Sequence, residues 1–413
     1  MVNRNWRLPD GVDELLPPAA WGLEQVRRQV LDVFHTWGFD YIEPPIIEYL
    51  DALLTGTGPD RGRGRQDDLD LQTLKVVDQR SGRMLGVRAD MTAQAVRIDA
   101  HSRPRAGVQR LCYAGAVVHA NPAAALDSRV PIKAGAEIFG AEGVSADAEV
   151  VTLLLEILHA TGIREPVLVL GHMGIYLSLI APLGLDPDAE RDLFAAVQSK
   201  SEADIAELLR GRPEAALIER LPTLMGGREV LVAAQSLFQD APAGASRAVD
   251  ALARLADEVE ARCSGVALRF DLAELAGYGY HNGPVFSAYQ ADLGRALARG
   301  GRYDGIGAAF GRGRPATGFD VNLTQLVGEP PAVAGIWAPW PEDSQSASAL
   351  DRAPSLAAEV KTLRADGQRV VAALDAGDSP PPDCDRQLCY AAGAWSVAKL
   401  DKVGGGPSSS HGT

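Results

Sequence analysis

The spacing of apolar residues changes character twice along this 413-residue chain, and that change restricts the fold more than any single motif. Short strand-like stretches dominate up to about residue 170. Residues 175–261 then read as helical throughout, rich in Ala, Leu, Glu and Arg. Strand-like segments return at 266–271 and 285–292. This order predicts an α+β fold, in which an antiparallel sheet flanked by helices is interrupted by a helical insertion at about 175–261. It does not predict regular βαβ winding.

Local patterns fill in that frame. Leu23, Val26, Val30, Val33, Phe34 and Trp37 recur at gaps of three and four, which marks the apolar face of a helix over 21–37 ended by Gly38. Residues 74–78 and 84–88 are strand candidates joined by a polar hairpin link at 79–82. Residues 90–100 read as a helix, and 109–119 and 134–140 as strands with a loop at 121–131 between them. A strong helix over 146–159 precedes a strand at 167–170. The Gly-rich run at 300–305 reads as a tight turn, and RGRGRQDD (61–68) as a loop. The composition shifts after Leu326, so the expected division is a core at 1–327, a small C-terminal α/β domain at 328–403 and a disordered tail at 404–413.

Several function classes are disfavoured. A net charge of −14 opposes non-specific attraction to polyanions. No apolar run is long enough for a membrane helix, and residues 1–10 lack a signal-peptide core, so the expected location is cytoplasmic. Cys112, Cys263, Cys384 and Cys389 lack zinc-knuckle spacing and read as reduced thiols; the seven histidines do not cluster. Neither a metal nor a cofactor is expected. GGRYDG lacks the spacing and the Lys-Ser/Thr ending of a phosphate loop.

Five segments in order are more telling: GVRADMTAQ (86–94), LCYAGAVVH through GAEIFG (111–140), YGYHNGPVF (278–286), GGRYDG (300–305) and ATGFDVNL (316–323). Together they resemble the histidyl-tRNA synthetase family. NWRLPDGVDELLP (5–17) and VDQRSGRMLGVRADMTAQAVRIDAH (77–101) look like the branch that regulates ATP phosphoribosyltransferase. The resemblance implies a class II aminoacyl-tRNA synthetase-like sheet. It further implies a homodimer built by the 21–37 helix and the strand after Pro44, and a hetero-octamer of four regulatory and four short-form catalytic chains. Histidine is then the implied regulatory ligand, with neither tRNA nor membrane as a partner.

The resemblance also places an amino-acid pocket. Asp90 and Thr92 lie where the family holds the α-ammonium, and Glu137 where it reads the imidazole. Tyr280, His281 and Tyr303 occupy the positions of the pocket's aromatic groups. Other roles suit the same residues: Asp90 as a helix cap, the tyrosines as packing, His281 as an ordinary hydrogen-bonded histidine. Two positions depart from the family. Lys133 replaces a glutamine near the ammonium, and Ala276 replaces an arginine that contacts substrate.

The phosphate side departs further. Where the family carries ATP-facing arginines, this chain has His119, followed by Ala120 and Asn121, and Gln325. An imidazole or an amide cannot replace a permanent bidentate cation. Three consecutive alanines at 123–125 offer no charge to a tRNA acceptor end, and the C-terminal unit looks too short for an anticodon-binding domain. Loss of one pre-aimed donor costs roughly 10²–10³ in rate. Histidine-dependent pyrophosphate exchange by the purified chain is therefore expected to lie several orders of magnitude below that of a synthetase; robust exchange would contradict this reading.

Overall fold

The computed structural model describes residues 7–55, 65–121, 127–212, 215–275, 280–290, 294–328, 334–341 and 347–400. Contacts divide the chain into two compact units, Met1–Gly328 and Glu329–Thr413. The expected tail at 404–413 and the alanines at 123–125 lie outside the described residues.

Twelve described strands build the first unit. They are β1 (Asp40–Tyr41), β2 (Ile47–Tyr49), β3 (Leu74–Val77), β4 (Met84–Val87), β5 (Gln109–Ala116), β6 (Ile132–Phe139), β7 (Val167–His172), β8 (Met225–Gly226), β9 (Ala267–Asp271), β10 (Pro284–Tyr289), β11 (Ala296–Arg302) and β12 (Ala316–Asn322). Nine form one sheet in the order β1-β5-β6-β12-β11-β10-β7-β9-β8. The run from β5 to β7 is antiparallel, whereas β1 joins β5 and β9 joins β7 in parallel. The helical block is thus the crossover that two adjacent parallel strands require. It opens with the helix Met173–Ile180, closes with Ala243–Arg262 and contains the short strand β8, so it is not helical throughout.

Alternation along the central strands separates two sheet faces. Cys112, Ala114, Ala134, Ala136, Ile138, Phe319 and Val321 turn toward one buried cluster, which also holds Val26, Val30 and Phe34 of the helix Ala19–Thr36. Phe34 and Phe319 have ring centroids 6.3 Å apart. Leu111, Tyr113 and Phe139 turn to the opposite face and join Tyr280 and Tyr303. That second face carries the candidate site.

Two local expectations fail. Gly300, Gly301 and Arg302 are not a turn but the end of β11. A Cβ on Gly300 would run into the Gly318 carbonyl and the Phe286 ring, and one on Gly301 would lie 2.7 Å from the Pro284 carbonyl. Glycine serves close approach here, and the turn falls at Gly305, where φ is +88°. RGRGRQDD is not wholly loop either. The helix Arg65–Gln72 starts inside it, anchored by buried Leu69, while residues 56–64 lie outside the described ones.

The hairpin β3–β4 and β2 form a separate three-stranded sheet. Its Ile47, Tyr49, Leu74, Val76, Val77 and Met84 are between 37% and 55% exposed; the register puts the first four on one face of the sheet, and Val77 and Met84 on the other. In the second unit β13 (Gly335–Ala338) pairs in parallel with β14 (Val370–Ala372) and β15 (Cys384–Ala391). The hairpin to β16 (Ala394–Lys399) completes this sheet, and the helix Ala347–Ala365 packs on it through Leu356 and Val360. No helix among the described residues is long and apolar enough to cross a membrane.

One buried ion pair ties the large sheet to the helix Val144–Ala160. Arg302 Nη2 lies 2.9 Å from Asp147 in that helix's first turn and also donates to the Gly143 carbonyl at 2.9 Å. Its Nη1 donates to the Ala141 carbonyl and to Asp304, each at 3.2 Å. Arg302→Ala strands a buried carboxylate, so urea unfolding at fixed protein concentration is expected to show a loss of about 3–5 kcal/mol. The paired change Arg302→Met with Asp147→Leu is expected to recover most of it.

Candidate functional site

Missing side chains carve the site floor. Gly135 on β6 and Gly318 on β12 sit on the site face of neighbouring strands. A Cβ on Gly135 would press to 2.5 Å from the Tyr113 ring, and one on Gly318 would overlap the Glu137 carboxylate. The two glycines therefore leave room for a large ring and a carboxyl group lying flat against the sheet.

Glu137 is the centre of what fills that room. It is 1% exposed. Tyr113 Oη donates to Oε1 at 2.8 Å, and Tyr303 Oη donates to Oε2. Since Tyr113 gives its proton to Glu137, the Thr92 hydroxyl 3.3 Å away donates to Tyr113 in turn. Burial pushes the Glu137 carboxyl up to about 8, against the pull of the Tyr303 and Tyr113 hydrogen bonds. Burial likewise raises both phenols well above their ordinary range.

Around this centre the rings are ordered. Tyr280 stacks on Tyr303 with centroids 4.9 Å apart and planes 19° apart. His281 meets Tyr280 edge-on at 4.8 Å. Asp90 Oδ1 accepts the Thr92 amide at 2.5 Å just before the helix Thr92–Arg97, so it braces the helix entry while also reaching the cavity. A cavity of about 80 Å³ is lined by all six residues singled out from sequence: Asp90, Thr92, Glu137, Tyr280, His281 and Tyr303. Arg299, Gly300, Gly318, Phe319 and Asp320 complete the wall.

The departures from the family pattern take a definite form. Lys133 is not left to repel a ligand's ammonium, because its Nζ lies 2.9 Å from Asp320. Burial works against the Lys133 charge, but the carboxylates of Asp320 and Asp90 outweigh it and the net shift is upward. His119 donates from Nε2 to the Ala89 carbonyl at 3.2 Å. Burial and then nearby Lys133 push its pKa down, so the ring is neutral at pH 7. Gln325 sits in a 3₁₀ turn after β12 with its Oε1 buried and without a hydrogen-bond partner among the described residues. Ala276 lies outside the described residues.

Sequence reasoning missed Tyr113, Arg299 and Asp320. Tyr113 was accessible in principle, since alternation along 109–116 puts it on the same face as Leu111. Arg299 precedes GGRYDG and Asp320 lies within ATGFDVNL, and only the register that pairs them across β11 and β12 brings both to the cavity.

The histidyl-tRNA synthetase family model matches residues 11–326, and the ATP phosphoribosyltransferase subunit HisZ C-terminal domain model matches 333–398. The chain is 44% identical to an ATP phosphoribosyltransferase regulatory subunit of Stutzerimonas stutzeri, over 96% of this chain and 98% of that one. It belongs to the family of ATP phosphoribosyltransferase regulatory subunits, within the histidyl-tRNA synthetase group. A regulatory subunit of Pseudomonas aeruginosa strain LESB58 is 45% identical with the same coverage. Among solved structures, an ATP phosphoribosyltransferase regulatory subunit/histidyl-tRNA synthetase from Bacillus halodurans is similar, with a TM-score of 0.77 and 27% identity. That match covers 91% of this chain and 94% of the other. The α+β, class II synthetase-like fold expected from sequence is the fold of this family.

The buried carboxyl makes a testable statement about stability. The folded chain binds the Glu137 proton more tightly than the unfolded chain does, so this contribution is full below about pH 4.5 and is lost as pH rises through about 8. Glu137→Gln cannot titrate. Unfolding measured at pH 5 and pH 9 is expected to show wild type losing a few kcal/mol relative to the variant, since a tenfold change in proton affinity is worth roughly 1.4 kcal/mol. An unchanged difference between the two proteins would show that Glu137 is already ionised in the folded state.

Proposed function

We infer that this chain is the regulatory, non-catalytic subunit of a short-form ATP phosphoribosyltransferase, which joins ATP to phosphoribosyl pyrophosphate in the first step of histidine synthesis. The observation that carries this is the 44% identity to a regulatory subunit along 96% of the chain. The site chemistry supports it. Adenylate formation needs fixed cations against phosphate. At the two corresponding positions stand a neutral imidazole, His119, and an amide, Gln325.

The cavity is read as a histidine site. Asp90 and Thr92 suit an ammonium, and Glu137 suits the imidazole. A carboxyl held near pH 8 and an imidazole near 6.5 compete for one proton, so ring and carboxyl can meet without a net change in charge. Regulation follows if histidine binds the active and inhibited assemblies with different affinity. The assembly is four regulatory and four catalytic chains around homodimers of this fold. Trp21, Ile46, Ile47 and Tyr49, all more than 40% exposed, lie on the elements expected to meet across that dimer.

Reconstitution tests both parts. The short catalytic subunit alone is expected to show little activity and to gain it when this chain is added, with a mass matching four of each. Glu137→Gln is expected to preserve that activation and to raise the histidine concentration for half-inhibition about tenfold or more, the worth of a charge-assisted hydrogen bond. Unaltered histidine inhibition in the variant would make the chain a scaffold without a ligand site here. Failure to activate would remove the regulatory assignment.

A further inference from the structure

Arg299 stands in the cavity wall on β11 and is exposed. By strand register its neighbour on β12 is Asp320, the carboxylate it would be expected to pair with. That carboxylate is already held by Lys133 from β6, at 2.9 Å. Among the described residues Arg299 makes no ion pair and no side-chain hydrogen bond. An unpaired arginine on an open surface would need no explanation. This one faces a cavity whose walls otherwise carry the carboxyl groups of Asp90, Glu137 and Asp320. Among the described lining residues it alone carries a permanent positive charge.

The distribution fits a zwitterion. Acidic groups serve the cationic end and the ring of an amino acid, while its carboxylate needs a cation within the same small space. The position where the resemblance implies such a cation is Ala276. We propose that Arg299 receives the α-carboxylate of the bound amino acid, replacing from β11 the cation that position 276 no longer supplies. A guanidinium suits the role because its fork of donors matches the two carboxylate oxygens. The Lys133–Asp320 pair is a precondition: with Asp320 engaged by Lys133, Arg299 is left for the ligand.

This assignment rests on the reading of the cavity as a histidine site, and the test separates the two. Histidine and histidinol, in which a hydroxymethyl group replaces the carboxylate, are titrated calorimetrically into the complex with the catalytic subunit. Wild type is expected to prefer histidine by about tenfold to a hundredfold, the range of a charged hydrogen-bonded contact. Arg299→Gln is expected to lose that preference while binding histidinol as well as wild type does, and Arg299→Lys to restore part of it. If wild type binds histidine and Arg299→Gln keeps the preference, the Arg299 assignment is wrong and the site stands. If wild type binds neither ligand, both fall.

Discussion

A carboxyl group buried to 1% exposure in the middle of the main sheet organises this molecule's site. Glu137 cannot sit there alone, because a buried carboxyl without hydrogen bonds is expensive by several kcal/mol. Its two oxygens are met by phenols from either side, Tyr113 on the adjacent strand and Tyr303 just beyond β11. The Tyr113 ring and the carboxyl itself need space, which Gly135 and Gly318 respectively provide. Tyr280 and His281 then pack against Tyr303, so the aromatic wall exists because the carboxyl had to be satisfied. Four strands and a loop are thereby committed to one geometry by one group.

The same sheet keeps a hydrogen-bonded cavity while the two neighbouring positions 119 and 325 carry no fixed cation. The pocket depends on hydrogen bonds and shape, which Thr92, Tyr113 and Glu137 retain. Activation would depend on fixed positive charge, and here His119 is turned to the Ala89 carbonyl while Lys133 is bound to Asp320. Other cations are engaged in holding the fold. Arg302 is the clearest case, with its donors spread over Asp147, Asp304 and two carbonyls.

Much of this was legible in the residues. The 3.6-residue rhythm of Val26, Val30 and Phe34 identified the helix on the back of the sheet, and all three are buried there. Alternation in GAEIFG put Glu137 among apolar neighbours on a strand, where only a paired carboxyl is tolerable. The motif order identified the fold because such motifs recur together. Glycine was less readable. In GGRYDG it signalled a turn, yet Gly300 and Gly301 are needed for close strand approach, and a sequence does not distinguish the two uses. Lys133 likewise read as a charge hostile to an ammonium until Asp320 was found beside it.

The sequence by itself determined the fold class, the helix faces and six of the residues that line the cavity, together with the uncharged groups at positions 119 and 325. The fold class and the helix faces follow from local periodicity, which acts over a few residues, whereas the cavity residues and the positions of His119 and Gln325 follow from the resemblance of the ordered motifs to the family. Only the tertiary structure decided which charges are spent on each other and which remain. Lys133 lies 187 positions from Asp320, and strand register, set by the packing of whole sheet faces, makes them partners and leaves Arg299 facing the cavity. Electrostatic partnership is a matter of distance in space, and distance in space is fixed only when the sheet closes.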